Sequence, residues 1–196
     1  MRITLRQLWQ TLFIVVILMF IVGVATDGTD VSNYQHRMER YMADGDYEKA
    51  LEVGEESDAT DAKLTQLRIE ALRKTHQLGD RLFAYPVVGN NKGMNNLKGD
   101  DELCAYLINR QLDKFAEALP RYYAINDSLP RHYQEALTLY NHKRSNPQVV
   151  FHNAVMETDY KDLQELEQKY TDKRERKLNV MRHYRGTYWY YFDYQK

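Results

Sequence analysis

Six histidines, a single cysteine and a large set of carboxylates are the side chains here that can move protons, attack an electrophile or hold a metal. Their spacing does not assemble those chemistries. A helical metalloprotease site needs two histidines four apart beside a glutamate, and structural zinc sites draw on several cysteines. The chain has no such histidine pair and one cysteine. His132, His142 and His152 fall ten apart, near one helical face but not on it, and Pro147 stands between the last two. They read as surface or packing histidines. Cys104 lies beside Leu103, Tyr106 and Leu107 in an apolar helical pattern, which marks a buried structural thiol. Glu55-Glu56 and Asp100-Asp101-Glu102 read as a helix end and a helix start, the latter suited to the positive end of a helix dipole. Lys173-Arg174-Glu175-Arg176-Lys177 reads as a solvated helix end or turn rather than a binding patch. The expectation is no catalytic residue, no cofactor and no metal site. A formal net charge of −1 without a basic block provides no electrostatic footprint for nucleic acid.

The elements that would position these residues begin with an apolar helix. From Leu8 to Ala25 the chain carries no charge, and between Leu12 and Val24 eleven residues are Leu, Ile, Val or Phe. Eighteen residues of helix reach about 27 Å, close to a hydrocarbon core of about 30 Å. The segment reads as a transmembrane helix. Arg2 and Arg6 precede it, while Asp27 and Asp30 follow it. The positive-inside bias therefore leaves residues 1–7 in the cytoplasm and carries residues 26–196 across, into the periplasm of a bacterial inner membrane. Gly23-Val24-Ala25 is also an acceptable cleavage site, so a secreted soluble helical protein is the alternative. Residues 26–32 read as a linker, residues 33–186 as a helical domain and residues 187–196 as an aromatic tail.

Within the domain, Tyr34, Met38 and Tyr41 make one apolar stripe, Asp44-Gly45-Asp46 turns the chain, and Tyr47, Ala50, Leu51 and Gly54 share the face of a second helix. Gly79-Asp80 with Ala84 repeats the outline of Gly45-Asp46 with Ala50 after 34 residues. That period is the signature of paired-helix repeats. Tyr34, Tyr41 and Ala50, with the Gly-Asp-Tyr turn, resemble the tetratricopeptide repeat family. Met38, Gly54 and Ala62 depart from its pattern. The chain also looks like bacterial single-span membrane proteins with such a C-terminal region. The resemblance implies stacked helical hairpins whose first helices line a concave, protein-binding face. In the register it sets, Gln35, Glu39, Gln66, Ile69, Arg73 and His76 point into that groove.

Further pairs follow the same rhythm. A helix is expected over 62–77, then a short one stopped at Pro86, then a Gly- and Asn-rich loop over 86–100. A third pair runs over 101–125, and a fourth begins at Leu129-Pro130 with its second helix over 149–156. Leu163, Leu166 and Tyr170 mark one later helix, Leu178 and Met181 another. The expected fold is all-α, an irregular array of three to four hairpins. Tyr188, Trp189, Tyr191 and Phe192 of the tail either cap the array's apolar end or contact a bilayer or partner. The function this implies is an anchored interaction or scaffold module with an unidentified protein or peptide partner, an enzyme being the lesser alternative.

Overall fold

A computed structural model describes residues 5–89 and 98–195; most of them are helical, and none of them forms a strand. The fold is all-α. Helix α1 spans Leu5–Ala43 as one element. It continues through residues 26–32, which composition marks as a linker. Gly28 is the only strong helix-breaker there, and an internal glycine costs a helix only about 1 kcal/mol. Among the described residues no helix is long and apolar enough to cross a membrane. Within residues 8–25, the described side chains are Trp9 and those from Leu12 to Ile17. All are exposed, Phe13 the most at 66%.

Helix α1 stops at a left-handed turn. Gly45 takes φ +76°, its N–H bonds the Met42 carbonyl, and the Asp46 N–H bonds the Tyr41 carbonyl at 2.8 Å. This pairing satisfies carbonyls that the helix end would otherwise leave open. Asp46 then caps α2, Tyr47–Glu52, by accepting from the Lys49 N–H. The same turn recurs after α3, Ala62–Lys74, where His76 has φ +58° and the Gln77 N–H reaches the Leu72 carbonyl at 2.9 Å. Helix α4, Leu78–Arg81, follows and runs into a 3-10 turn at Leu82–Ala84. It recurs again after α5, Asp100–Ile108. There Arg110 has φ +55° and the Gln111 N–H reaches the Tyr106 carbonyl at 2.9 Å, before α6, Leu112–Ala118.

The equivalent turn positions are therefore Gly45, His76 and Arg110, and Gly79, three residues beyond His76, is not the counterpart of Gly45. Gly79 lies inside α4, where an added Cβ would sit 2.8 Å from the Pro130 ring. It is a glycine of close packing, not of a turn. Gly54 combines both roles. It has φ +64°, and its Cβ position is 2.9 Å from the Tyr34 ring.

Helix α7, Arg131–Lys143, is followed by a non-helical stretch to Asn153, so of the helix expected over 149–156 only residues 154–156 are helical. Instead Phe151 is buried, and Asn153 accepts from the N–H groups of Val155 and Met156 to start α8, Ala154–Lys169. Asp172 caps α9, Lys173–Tyr184, and Thr187 caps α10, Tyr188–Tyr194. Met38, Ala50, Val53 and Leu64 form a small core for the first hairpin. A larger core runs from Leu51 through α3–α8 to the aromatic residues of α10. Two arginines join the parts. Arg68, 2% exposed, donates to Thr60 and the Gly54 carbonyl and lies over the Tyr85 ring; burial holds its guanidinium down to about 10. Arg185 ties the end of α9 to the Glu56 carbonyl and Asp58.

Candidate functional site

Of the six residues expected to line one groove, the structure buries one and engages three others in bonds. Ile69 is 1% exposed and belongs to the core, so it cannot serve a binding face. Arg73 bonds Asp101 of α5 at 2.9 Å, Gln35 donates to Asp61 at 2.7 Å and Glu39 pairs with Lys63 at 2.6 Å. His76 forms the left-handed turn, and it and Gln66 are exposed. The physical reason is register. A shift of three residues turns a helix face by about 60°. The turn positions instead align Ile69 with Met38 and Leu72 with Tyr41. Met38 is fully buried, as Ile69 nearly is.

Of the two readings of the aromatic tail, packing onto the protein is the one that matches the burial of its side chains. Tyr188, Trp189 and Tyr191 are buried inside the chain and are not available to a bilayer or partner, while Phe192 is half-buried. Trp189 Nε1–H donates to the Glu135 carbonyl at 2.7 Å, and the Tyr191 hydroxyl donates to the Ile108 carbonyl at 2.7 Å. Burial lifts the Tyr188 hydroxyl well above its ordinary range. From the turn after α5, Arg110 donates to the carbonyls of Tyr191, Phe192 and Gln195 and lies 4.7 Å from the Tyr191 ring centroid. A cation on the last carbonyls of α10 also complements its dipole.

His132 and Glu135 form the pair most like catalytic machinery. Both are 1% exposed, with Nδ1 2.8 Å from Glu135 Oε2. Yet His132 Nε2 accepts from the Phe83 N–H at 3.1 Å, so the nitrogen a general base would offer to substrate is occupied. Glu135 Oε2 also accepts the Tyr188 N–H at 2.7 Å, and its other oxygen pairs with Arg131 at 2.9 Å. The geometry makes this pair the seat of α10. A buried carboxylate with three donors is satisfied, as such a charge requires. Cys104 is buried with Sγ 3.4 Å from the Tyr133 hydroxyl, and burial pushes its thiol up. Asp100 accepts the hydroxyls of both Tyr123 and Tyr133, at 2.6 and 2.9 Å. Among the described residues no three His, Cys, Asp or Glu side chains come together in a metal-binding group.

Open clefts lie around α7–α10. One of about 480 Å³ is lined by Arg131, Glu135, Asp159, Asp162, His183 and Trp189, among others. Another of about 630 Å³ lies between α8, α9 and α10 and contains Lys173, Arg176 and Lys177. By sequence these three read as a solvated helix end or turn. Their spacing of i, i+3 and i+4 places them on one helical face, but only the fold sets a second wall opposite.

The class is thus an all-α protein of short helical pairs closed by an internal aromatic helix. Residues 95–195, which include α5–α10, match the profile of DUF6057, a family of unknown function, and the chain belongs to that family. No curated protein and no solved structure matches it.

Proposed function

We propose that the chain is an anchored interaction module. Residues 8–25 fix it in a bilayer with the N-terminus in the cytoplasm, and the tetratricopeptide-like helices beyond bind a protein or peptide partner on the other side, the periplasm of a bacterial cell. It performs no chemistry of its own. The observation that carries this reading is α1. Trp9 and the six apolar side chains from Leu12 to Ile17 are left uncovered by the protein, on the same helix whose last turns pack in the first hairpin. Apolar helix surface of this kind favours insertion by roughly 0.3–0.6 kcal/mol per Leu, Ile, Phe or Val. The left-handed turns at Gly45, His76 and Arg110 support a repeating hairpin plan.

Crosslinking and pull-down of the full chain from membranes test both halves of the reading. The chain should resist alkaline extraction from the membrane pellet and crosslink to a stoichiometric protein partner. Extraction into the supernatant overturns the anchor. Retention without a stoichiometric partner overturns the scaffold role.

A further inference from the structure

Helix α9 begins with charges that oppose its own dipole. Lys173, Arg174 and Arg176 stand in its first turn against Glu175 and the capping Asp172, where cations are disfavoured. Lys173, Arg176 and Lys177 form one wall of the 630 Å³ cleft, and Lys143 of α7 also lines it, with Tyr160 and Tyr194 supplying aromatic surface. The two carboxylates in the cleft are engaged. Asp193 pairs with Lys143 at 3.6 Å, and Glu167 accepts the Tyr194 hydroxyl. Arg176 is held by the Tyr170 and Thr171 carbonyls. Lys173 and Lys177 are exposed and have no ion pair among the described residues. A second hollow of about 340 Å³ shares Glu167 and Arg176 and adds Gln164 and Gln168. Tyr160, Gln164, Glu167 and Gln168 fall at i, i+4, i+7 and i+8, one stripe of α8. The two hollows therefore make a groove along α8 and α9, basic on one wall and amide-bearing on the other.

We propose that this groove binds an acidic peptide segment of a partner protein. Lys173, Lys177 and Arg176 take its carboxylates, and the Gln164 and Gln168 amides meet its backbone N–H and C=O groups. Cations spread along a groove with interspersed amides suit an extended chain better than a single small anion. This rests on the interaction-module reading and states the chemistry of its partner.

The test uses the full chain in nonionic detergent, with fluorescence anisotropy of a labelled oligo-glutamate peptide. Saturable binding is expected, weakening as ionic strength rises past about 0.15 M. The Lys173→Ala/Lys177→Ala variant should bind at least about tenfold more weakly, whereas Lys74→Ala/Lys114→Ala, the same charge change at exposed sites elsewhere, should stay within about twofold. Gln164→Ala/Gln168→Ala should weaken binding without changing its salt dependence. Because both groove lysines are exposed and Lys173 opposes the α9 dipole, their replacement should leave the melting temperature equal or higher, so lost binding is not lost folding. Absence of saturable binding overturns the proposal, as does equal loss in both lysine variants. Competition by inorganic phosphate at matched anion concentration also overturns it, by making the groove a small-anion site. If a stoichiometric partner is still crosslinked in those cases, the interaction module stands and only the groove is lost.

Discussion

Glu135 joins α7 to α10 by two routes, its carboxylate accepting the Tyr188 N–H and its carbonyl accepting the Trp189 Nε1–H, while His132 of α7 holds the carboxylate in place. Trp189 is 2% exposed and packs 5.3 Å from the Tyr160 ring centroid. Trp189→Ala should therefore lower unfolding free energy by about 3–5 kcal/mol in urea titration, the range for removing a large buried aromatic. Arg110→Ala should cost about 1–2 kcal/mol through the α10 carbonyls it releases, and Arg110→Lys should not restore it, since an ammonium lacks the planar fork. Alkaline pH tests the buried tyrosines. Burial raises Tyr133 and Tyr188 well above the ordinary value and moves Tyr85 and Tyr160 to about 12. A raised folded-state value means that stability is fully present below the unfolded value, about 10 for tyrosine, and is lost as pH rises through the folded value. Tyrosinate absorbance from these residues should thus appear together with loss of helical circular dichroism. Their ionisation near pH 10 with helices intact would contradict the burial.

The turns between helices separate backbone strain from packing. At Gly45 an added Cβ meets nothing within 4 Å, so Gly45→Ala should cost only the left-handed penalty of about 1–2 kcal/mol. At Gly54 the same penalty is joined by the Tyr34 ring at 2.9 Å, so Gly54→Ala should cost clearly more. His76→Gly should stabilise by up to about 1 kcal/mol, because it relieves φ +58° at an exposed side chain. Equal effects at Gly45 and Gly54 in thermal melts would mean that Tyr34 yields freely.

Across the whole molecule, α10 closes the fold rather than decorating it. Its carbonyls are held by the α5–α6 turn through Arg110 and its N-terminal end by α7 through Glu135. Deleting residues 187–196 strips four buried aromatic side chains from the main core. The truncated chain should lose a cooperative thermal transition and bind a hydrophobic dye, because the surface left behind on α5–α7 has no other cover. A truncated chain that melts as the full one does would show that α10 is an appendage.

Helicity, the turn into α2 and the apolar first segment were legible in the sequence because they are local. The 3.6-residue stripes, the Asp44-Gly45-Asp46 turn and the uncharged run from Leu8 to Ala25 depend on neighbours a few positions away. Cys104's burial was legible for the same reason. The turn register was not, since two of its three left-handed positions are His76 and Arg110, which carry no glycine signal, while Gly79 carries the signal and serves packing against Pro130 and Tyr133. The fate of the aromatic tail and of the Lys173–Lys177 run was also decided only in three dimensions. Whether Trp189 is covered depends on Glu135, 54 positions away, and whether three basic residues line a groove depends on a facing helix. Local chemistry sets which helices form and where many begin. Long-range burial, with the entropy cost of bringing distant segments together, sets which of their faces are left for function.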